Sequence, residues 1–151
     1  GIDANIAPAE LRHIPQVLRI DGSTWSRRQF EEELHNPASE FAVLLAAESP
    51  ARGNVRQARQ VLGFFVAWRV VDELQIMSIA IHPDVRRQGL ARRFLAEMLH
   101  RNAGLHACLE VRATNIAARQ LYRTQGFVEV GVRPNYYADG EDAVLMRKES
   151  V

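Results

Sequence analysis

The sequence predicts a single mixed α/β sandwich whose sheet is largely antiparallel. Three observations lead there. The chain has 151 residues, 47% of them apolar, which suits one buried core, since single cores run to about 100–200 residues before splitting. Apolar positions switch between helical spacing and strand-length runs along the chain. The resulting order is two helices, three strands, a helix, a strand, a helix and two strands, and it contains a hairpin as well as strands separated by helices.

Each element has its own signal. Leu11, Ile14, Val17 and Leu18 recur at helical spacing and predict a first helix ending near Asp21-Gly22. Ser26 and Gln29 fit a capping box for a second helix that carries Phe30 and Leu34, and Asn36-Pro37 stops it. Phe41–Ala47 reads as a buried strand. Residues 49–60 hold Pro50, Gly53, Asn54 and Arg52, Arg56 and Arg59 with almost no apolar side chains, the composition of a long exposed loop. Val61–Val71 and Leu74–Ile81 then make a hairpin across an Asp72-Glu73 turn.

After His82-Pro83-Asp84 the period changes. Leu90, Phe94 and Met98, with Ala91, Leu95 and Leu99, form an apolar stripe opposite Arg92, Arg93, Glu97 and Arg101, so residues 89–102 are an amphipathic helix closed by Gly104. His106–Arg112 alternates as a strand, with Ala107, Leu109 and Val111 on one face and Cys108, Glu110 and Arg112 on the other. Thr114 or Asn115 caps the next helix, whose apolar face takes Ile116, Leu121 and Tyr122, and Gly126 ends it. Phe127–Val132 and Ala143–Arg147 are the last strands, joined by a loop with Pro134, Tyr136, Tyr137 and Gly140.

Composition excludes several classes. Lys and Arg number 19 against 18 Asp and Glu, so no global field points to nucleic acid or a membrane surface. Lys148 is the sole lysine, and the remaining basic residues are arginines. The single cysteine, Cys108, excludes an internal disulfide and any cysteine-rich zinc site. Residues 1–20 lack the apolar run of a signal peptide, and no run approaches the ~20 residues of a membrane span. The expectation is a cytoplasmic protein.

Arg86-Arg87-Gln88-Gly89-Leu90-Ala91 lies between a strand and an amphipathic helix. A glycine there lets backbone approach a ligand, and the first N–H groups of the helix have no internal partners, so the turn suits a pyrophosphate. The other reading is a plain strand-to-helix turn with solvated arginines. The spacing is neither that of a Walker loop nor that of the three-glycine dinucleotide fingerprint.

Arg86-x-x-Gly89-x-Ala91 resembles the Q/R-x-x-G-x-G/A motif of the GNAT superfamily of N-acetyltransferases. Ile79-Ala80-Ile81-His82-Pro83 resembles that family's central strand, and Asn115…Leu121-Tyr122…Gly126-Phe127 its C-terminal signature. Leu109-Glu110-Val111-Arg112-Ala113 and Arg133-x-Asn135-Tyr136-Tyr137 are similar to the RimI-type ribosomal-protein-alanine acetyltransferases. The similarity covers about residues 61–148 and is thinner before residue 60, where Trp25-Ser26 matches a pair found in such proteins.

The resemblance implies helices on both faces of the sheet and a central strand pair that splays to admit acetyl-CoA. It places the pantetheine and acetyl carbonyl on the backbone of Ile79, Ala80 and Ile81. It places the pyrophosphate on that of Arg86, Arg87, Gln88, Gly89, Leu90 and Ala91, with Asn115 contacting CoA besides capping its helix. Glu110 becomes the general base, because attack on a thioester needs a neutral amine and an α-amine has a pKa of about 7.7–8.0. Tyr122 becomes the general acid toward the leaving thiolate. Trp25, Arg133, Asn135, Tyr136 and Tyr137 would line the acceptor groove. The implied partner is a protein N-terminus, that of a ribosomal protein by the narrower likeness, with no direct nucleic-acid binding.

Without the resemblance, Glu110 reads as an exposed strand residue or a partner for Arg112, and Tyr122 as a core tyrosine. Cys108 shares a face with Glu110, and no histidine spacing supports a thiol nucleophile, so it reads as a small buried filler. His82, His100 and His106 lack metal-ligand spacing, and no metal is expected. The competing functions are acetylation of a small amine or a protein lysine, a non-catalytic CoA sensor, and an RNA-binding module using the Arg52/Arg56/Arg59 loop.

Overall fold

Seven strands and four helices make up the described part of the chain, residues 3–20, 25–47 and 59–150 of a computed structural model. In chain order they are β1 (Ala4–Pro8), α1 (Ile14–Ile20), α2 (Arg27–Leu34), β2 (Ser39–Ala46), β3 (Val61–Val70), β4 (Glu73–Ile81), α3 (Leu90–Arg101), β5 (His106–Arg112), α4 (Ile116–Thr124), β6 (Val128–Arg133) and β7 (Ala143–Lys148). The strands form one sheet in the order β1-β2-β3-β4-β5-β7-β6. Among the described residues β4–β5 is the parallel pair and every other neighbour is antiparallel. This is the mixed, mostly antiparallel sheet that the sequence predicts.

Each face of the sheet is covered by two helices. Leu90, Phe94, Leu95 and Met98 of α3 and Tyr122 of α4 pack on Phe65, Ile76, Leu109 and Met146. Ile14, Val17 and Ile20 of α1 and Phe30 of α2 pack on Val43, Phe64 and Val66 of the opposite face. Phe30 is the hub of that second layer, with ring centroids 5.7 Å from Phe41, 5.6 Å from Phe64 and 5.2 Å from Trp25. Alternation along each strand supplies both layers from one sheet. Burying a phenylalanine of this kind contributes about 1.5–3 kcal/mol.

The central pair opens partway along its length. β4 and β5 are in register from Glu73↔His106 to Ile76↔Leu109 and no further. Beyond that point Ser78–Ile81 remain paired with β3, and Glu110–Arg112 remain paired with β7. Residue 77 marks the change, because Val66 pairs with Ser78 while Ala67 pairs with Ile76, which leaves Met77 as the extra residue of a bulge. The splay that the resemblance implies is present.

Several expectations are corrected. β1 has no counterpart in the sequence reading: ANIAP carries little strand propensity, and its strand character comes from pairing with β2. The first helix opens as a 3-10 turn at Leu11–His13, and Leu11 is 58% exposed rather than buried. The β3–β4 turn is Val71-Asp72, since Glu73 already pairs with Val70. Asn115 rather than Thr114 caps α4, by accepting from the Ala118 N–H, and Ile116 is 53% exposed because it lies on the first turn beyond the core. Cys108 is half-buried and faces away from the α3–α4 core, its Sγ 3.7 Å from a Glu73 oxygen, so it fills no gap in that core. β6 starts at Val128, after the buried Phe127. The predicted 49–60 loop, up to residue 58, and the predicted first-helix end at Asp21-Gly22 lie outside the described residues.

Gly63 holds β3 close to the end of β4. A Cβ there would lie 2.8 Å from the Ala80 carbonyl oxygen and 2.7 Å from Ile81 Cδ1. The side chain can turn aside, but the carbonyl can retreat only with its strand. Gly63→Ala should therefore cost about 1–3 kcal/mol in urea unfolding, the usual penalty for overpacking. An unchanged midpoint would show that the end of β4 is free to shift.

Candidate active site

The parting of β4 and β5 sets the geometry of the site. Leu109 and Val111 face the α3–α4 core, so Glu110 between them faces the α1–α2 layer. Val66 and Ala80 belong to that same layer, which places Ser78, Ala80 and Glu110 on one face along the opening. The Glu110 carboxylate is half-exposed and lies 3.5 Å from Arg133 Nε. The phenol of Tyr136 is held above its ordinary pKa, first by its hydrogen bond to Glu110 and then by that carboxylate's charge.

Tyr122 approaches from the other side of the sheet. α4 carries it into the core, where it is 8% exposed and its ring meets Phe127 edge-on at 5.7 Å. Burial, with a smaller contribution from Tyr137, pushes its phenol up to about 12, so at neutral pH it is an intact O–H donor. Tyr137 links the two sides. It adds to the shift of Tyr122 while its own phenol is raised by burial and, against the opposing charge of Arg112, by Glu110 and Glu141.

The residues that the resemblance assigns to the acceptor groove fall in two places. Arg133, Tyr136 and Tyr137 gather beside Glu110: the two tyrosine rings pack edge-on at 5.1 Å, and Arg133 lies 5.8 Å from the Tyr136 ring centroid. Asn135 takes a left-handed turn (φ 52°) with its N–H bonded to Asp142, which redirects the chain after β6. Trp25 packs on Phe30 in the α1–α2 layer, on the same face of the sheet as Glu110.

The turn before α3 leaves its backbone open to approach. Arg87 (φ 64°) and Gly89 (φ 75°) are both left-handed, and no atom lies within 4 Å of where a Gly89 Cβ would stand. The first helical bond runs from the Arg93 N–H to the Gly89 carbonyl, so the N–H groups of Leu90, Ala91 and Arg92 precede the ladder. Leu90 buries its side chain in the core and can serve a ligand only through its backbone. Arg86 is committed elsewhere, its Nε donating to the Ile81 carbonyl at 3.0 Å, which ties the turn to the end of β4. Gln88 is exposed, and Asn115 spends its Oδ1 on the Ala118 N–H. Ile79, Ala80 and Ile81 pair with β3 on one edge and have no β5 partner on the other. A thin, extended molecule with a phosphate end fits an edge of unpaired backbone followed by free helix N–H groups.

Sequence reasoning passes over the charged cluster that borders Tyr137, in which Arg112 meets Asp139 and Glu141. The guanidinium of Arg112 lies 4.1 Å over the Tyr137 ring, and its Nη1 is 2.8 Å from Asp139 and 3.2 Å from Glu141. The one signal in the sequence is the acidic run Asp139, Glu141, Asp142 facing an arginine-bearing strand. No group of three or more His, Cys, Asp or Glu suited to a metal occurs among the described residues, and no described helix is long and apolar enough to cross a membrane.

Residues 19–150 match the family model for the acetyltransferase (GNAT) domain. The chain belongs to the GNAT acetyltransferase family. As a GNAT protein it is an acetyl-CoA-dependent acyltransferase. It is 32% identical to a Bacillus subtilis (strain 168) protein described provisionally as a ribosomal protein bS18-alanine N-acetyltransferase, over 95% of this chain and 93% of that one. It is 41% identical to the Escherichia coli (strain K12) ribosomal protein bS18-alanine N-acetyltransferase over 60% of this chain, which spans 65% of that enzyme. The crystal structure of the E. coli ribosomal-protein-S18-alanine N-acetyltransferase superposes with a TM-score of 0.76 at 29% identity, covering 97% of this chain and 93% of that one.

The raised pKa of Tyr122 gives this GNAT domain an alkaline signature. An unfolded tyrosine ionises near 10 and the buried one near about 12, so its stabilising contribution is full below about pH 10 and is lost as pH rises toward 12. In an ultraviolet titration Tyr122 should be the last of the three tyrosines to ionise, and Tyr122→Phe should remove that step. A final step that survives in the variant would assign it to another tyrosine.

Proposed function

We propose that this GNAT enzyme transfers an acetyl group from acetyl-CoA to the α-amine of a protein N-terminus, namely the N-terminal alanine of a small-subunit ribosomal protein. One observation carries the reading: a carboxylate on β5, Glu110, stands where the strand pair parts, with the buried phenol of Tyr122 on the other side of the sheet. Direct transfer needs a proton acceptor beside the amine and a proton donor beside the sulfur, and the two groups have those chemistries. The names of the B. subtilis and E. coli relatives supply the acceptor class.

In this reading the backbone of Ile79, Ala80 and Ile81 holds the pantetheine arm and the acetyl carbonyl. The backbone of Arg86–Ala91 holds the pyrophosphate, and Asn115 borders CoA from the start of α4. Acetyl-CoA supplies the activated acyl group as a thioester. Glu110 accepts the proton of the attacking α-amine, directly or through water, and Tyr122 donates to the departing sulfur. Tyr136 and Tyr137, with Arg133, Asn135 and Trp25, wall the groove in which the acceptor's first residues lie. A small first residue lets the amine reach the thioester. A ribosomal acceptor places the enzyme in the cytoplasm.

The test is a peptide with an N-terminal alanine and an internal lysine, incubated with acetyl-CoA and sequenced by tandem mass spectrometry. One acetyl group on the α-amine is expected, and the same peptide beginning with proline should be inert. Glu110→Gln should lose about 10²–10⁴ in turnover near neutral pH while keeping acetyl-CoA affinity, with the loss shrinking as the amine becomes neutral above about pH 8. Predominant lysine acetylation would replace the α-amine reading with the lysine or small-amine alternative. Full turnover in Glu110→Gln would remove that residue from the proton path.

A further inference from the structure

The loop bearing Tyr136 and Tyr137 is fastened to the rest of the protein mainly through one residue. The Glu141 backbone carbonyl accepts the N–H groups of both Tyr136 and Tyr137, each at 3.1 Å. Its carboxylate reaches the other way, to the turn between β5 and α4. It accepts from the Thr114 N–H at 3.1 Å and from the Thr114 hydroxyl, and it pairs with Arg112 Nη1 at 3.2 Å. Arg112 in turn covers the ring of Tyr137 and binds Asp139, whose Oδ1 accepts the Glu141 N–H at 3.0 Å.

Neighbouring bonds support the same joint. The Ala113 N–H donates to the Asp142 carbonyl at 3.1 Å, and the Gly140 N–H closes the loop onto the Tyr137 carbonyl at 2.8 Å. Three donors on one carboxylate are more than a surface ion pair offers, and bonds to a charged acceptor are the stronger kind. The Glu141 carboxyl is accordingly held below the usual range, first by the Thr114 hydroxyl and N–H.

We propose that Glu141 is a positioning residue for the acceptor: it fixes Tyr136 and Tyr137 relative to β5, and so sets the distance between the peptide wall and Glu110. It touches no reacting atom. The proposal rests on the reading of those tyrosines as the acceptor wall. Its consequence is selective: a peptide long enough to meet the tyrosines depends on Glu141, whereas a minimal amine that reaches only Glu110 does not.

The experiment compares steady-state kinetics for the peptide that the unmodified enzyme acetylates with those for alaninamide, in Glu141→Gln, Thr114→Val and Thr114→Ser. Glu141→Gln keeps the backbone carbonyl and an amide oxygen for Thr114 but removes the charge that holds Arg112. Thr114→Val removes the hydroxyl donor, and Thr114→Ser keeps it. Expected are a peptide KM raised about tenfold in Glu141→Gln and several-fold in Thr114→Val, near-normal values in Thr114→Ser, and a kcat within about threefold of the parent throughout. The KM for alaninamide and the affinity for acetyl-CoA should stay within twofold.

A peptide KM that stays within twofold in both Glu141→Gln and Thr114→Val overturns the proposal. So does a loss shared equally by peptide, alaninamide and melting temperature, which is what a purely structural role would give. If Glu141→Gln does not fold, the Thr114→Val and Thr114→Ser pair decides alone. Failure of the α-amine reading is separate, because it shows as lysine acetylation by the unmodified enzyme.

Discussion

β4 and β5 lie parallel and hydrogen-bonded for four residue pairs and then part, and the working geometry of the molecule follows from that divergence. Neither strand is free to close the gap. The end of β4 is held against β3 by the pairing of Gly63 with Ile81 and by the bond from the His82 N–H to the Leu62 carbonyl. The end of β5 is held against β7 through Arg112↔Ala143. Below the opening, Leu109 and Val111 are anchored in the α3–α4 core. Buried backbone groups normally find partners, so an edge kept open inside a sheet invites a ligand that can supply them.

The parting also bears on the proposal that groups on opposite faces of the sheet act together. Glu110 faces the α1–α2 layer and Tyr122 belongs to the α3–α4 core, an arrangement that a continuous sheet would keep apart. Tyr137 interacts electrostatically with both. The environments differ as their proposed roles require: the carboxylate is open to water and an incoming amine, while the phenol is dry enough to keep its proton. The loop over residues 134–142 is pinned by Arg112 of β5 and by the Thr114 donors of the turn that follows.

Much of this was legible in the sequence, for identifiable reasons. β5 was readable to its end residues because Ala107, Leu109 and Val111 alternate cleanly with Cys108, Glu110 and Arg112. α3 was readable because its apolar stripe is long and Gly104 closes it. β1 was not, since Ala4–Pro8 has no periodic signal and becomes a strand only by lying beside β2. The bulge at Met77 was equally hidden, because it is a property of the pairing with β3 and not of the residue. Glu110 and Tyr122 could be named from motif resemblance, yet their approach from opposite faces could not. Beyond its place in an acidic run, the contacts of Glu141 were not legible, because its partners Thr114 and Arg112 lie 27 and 29 positions away. Such contacts exist only in three dimensions.

Amide hydrogen exchange tests, without any variant, whether acetyl-CoA seats in the opening between β4 and β5. Adding acetyl-CoA should slow exchange at the N–H groups of Ile79 and Ile81, which point away from β3, and of Leu90–Arg92 in the first turn of α3, while Ser78 and Ala80, already bonded to β3, change little. Residues 73–76 and 106–109, already paired with each other, should change little. Protection confined to other segments, or none at saturating acetyl-CoA, would contradict the account.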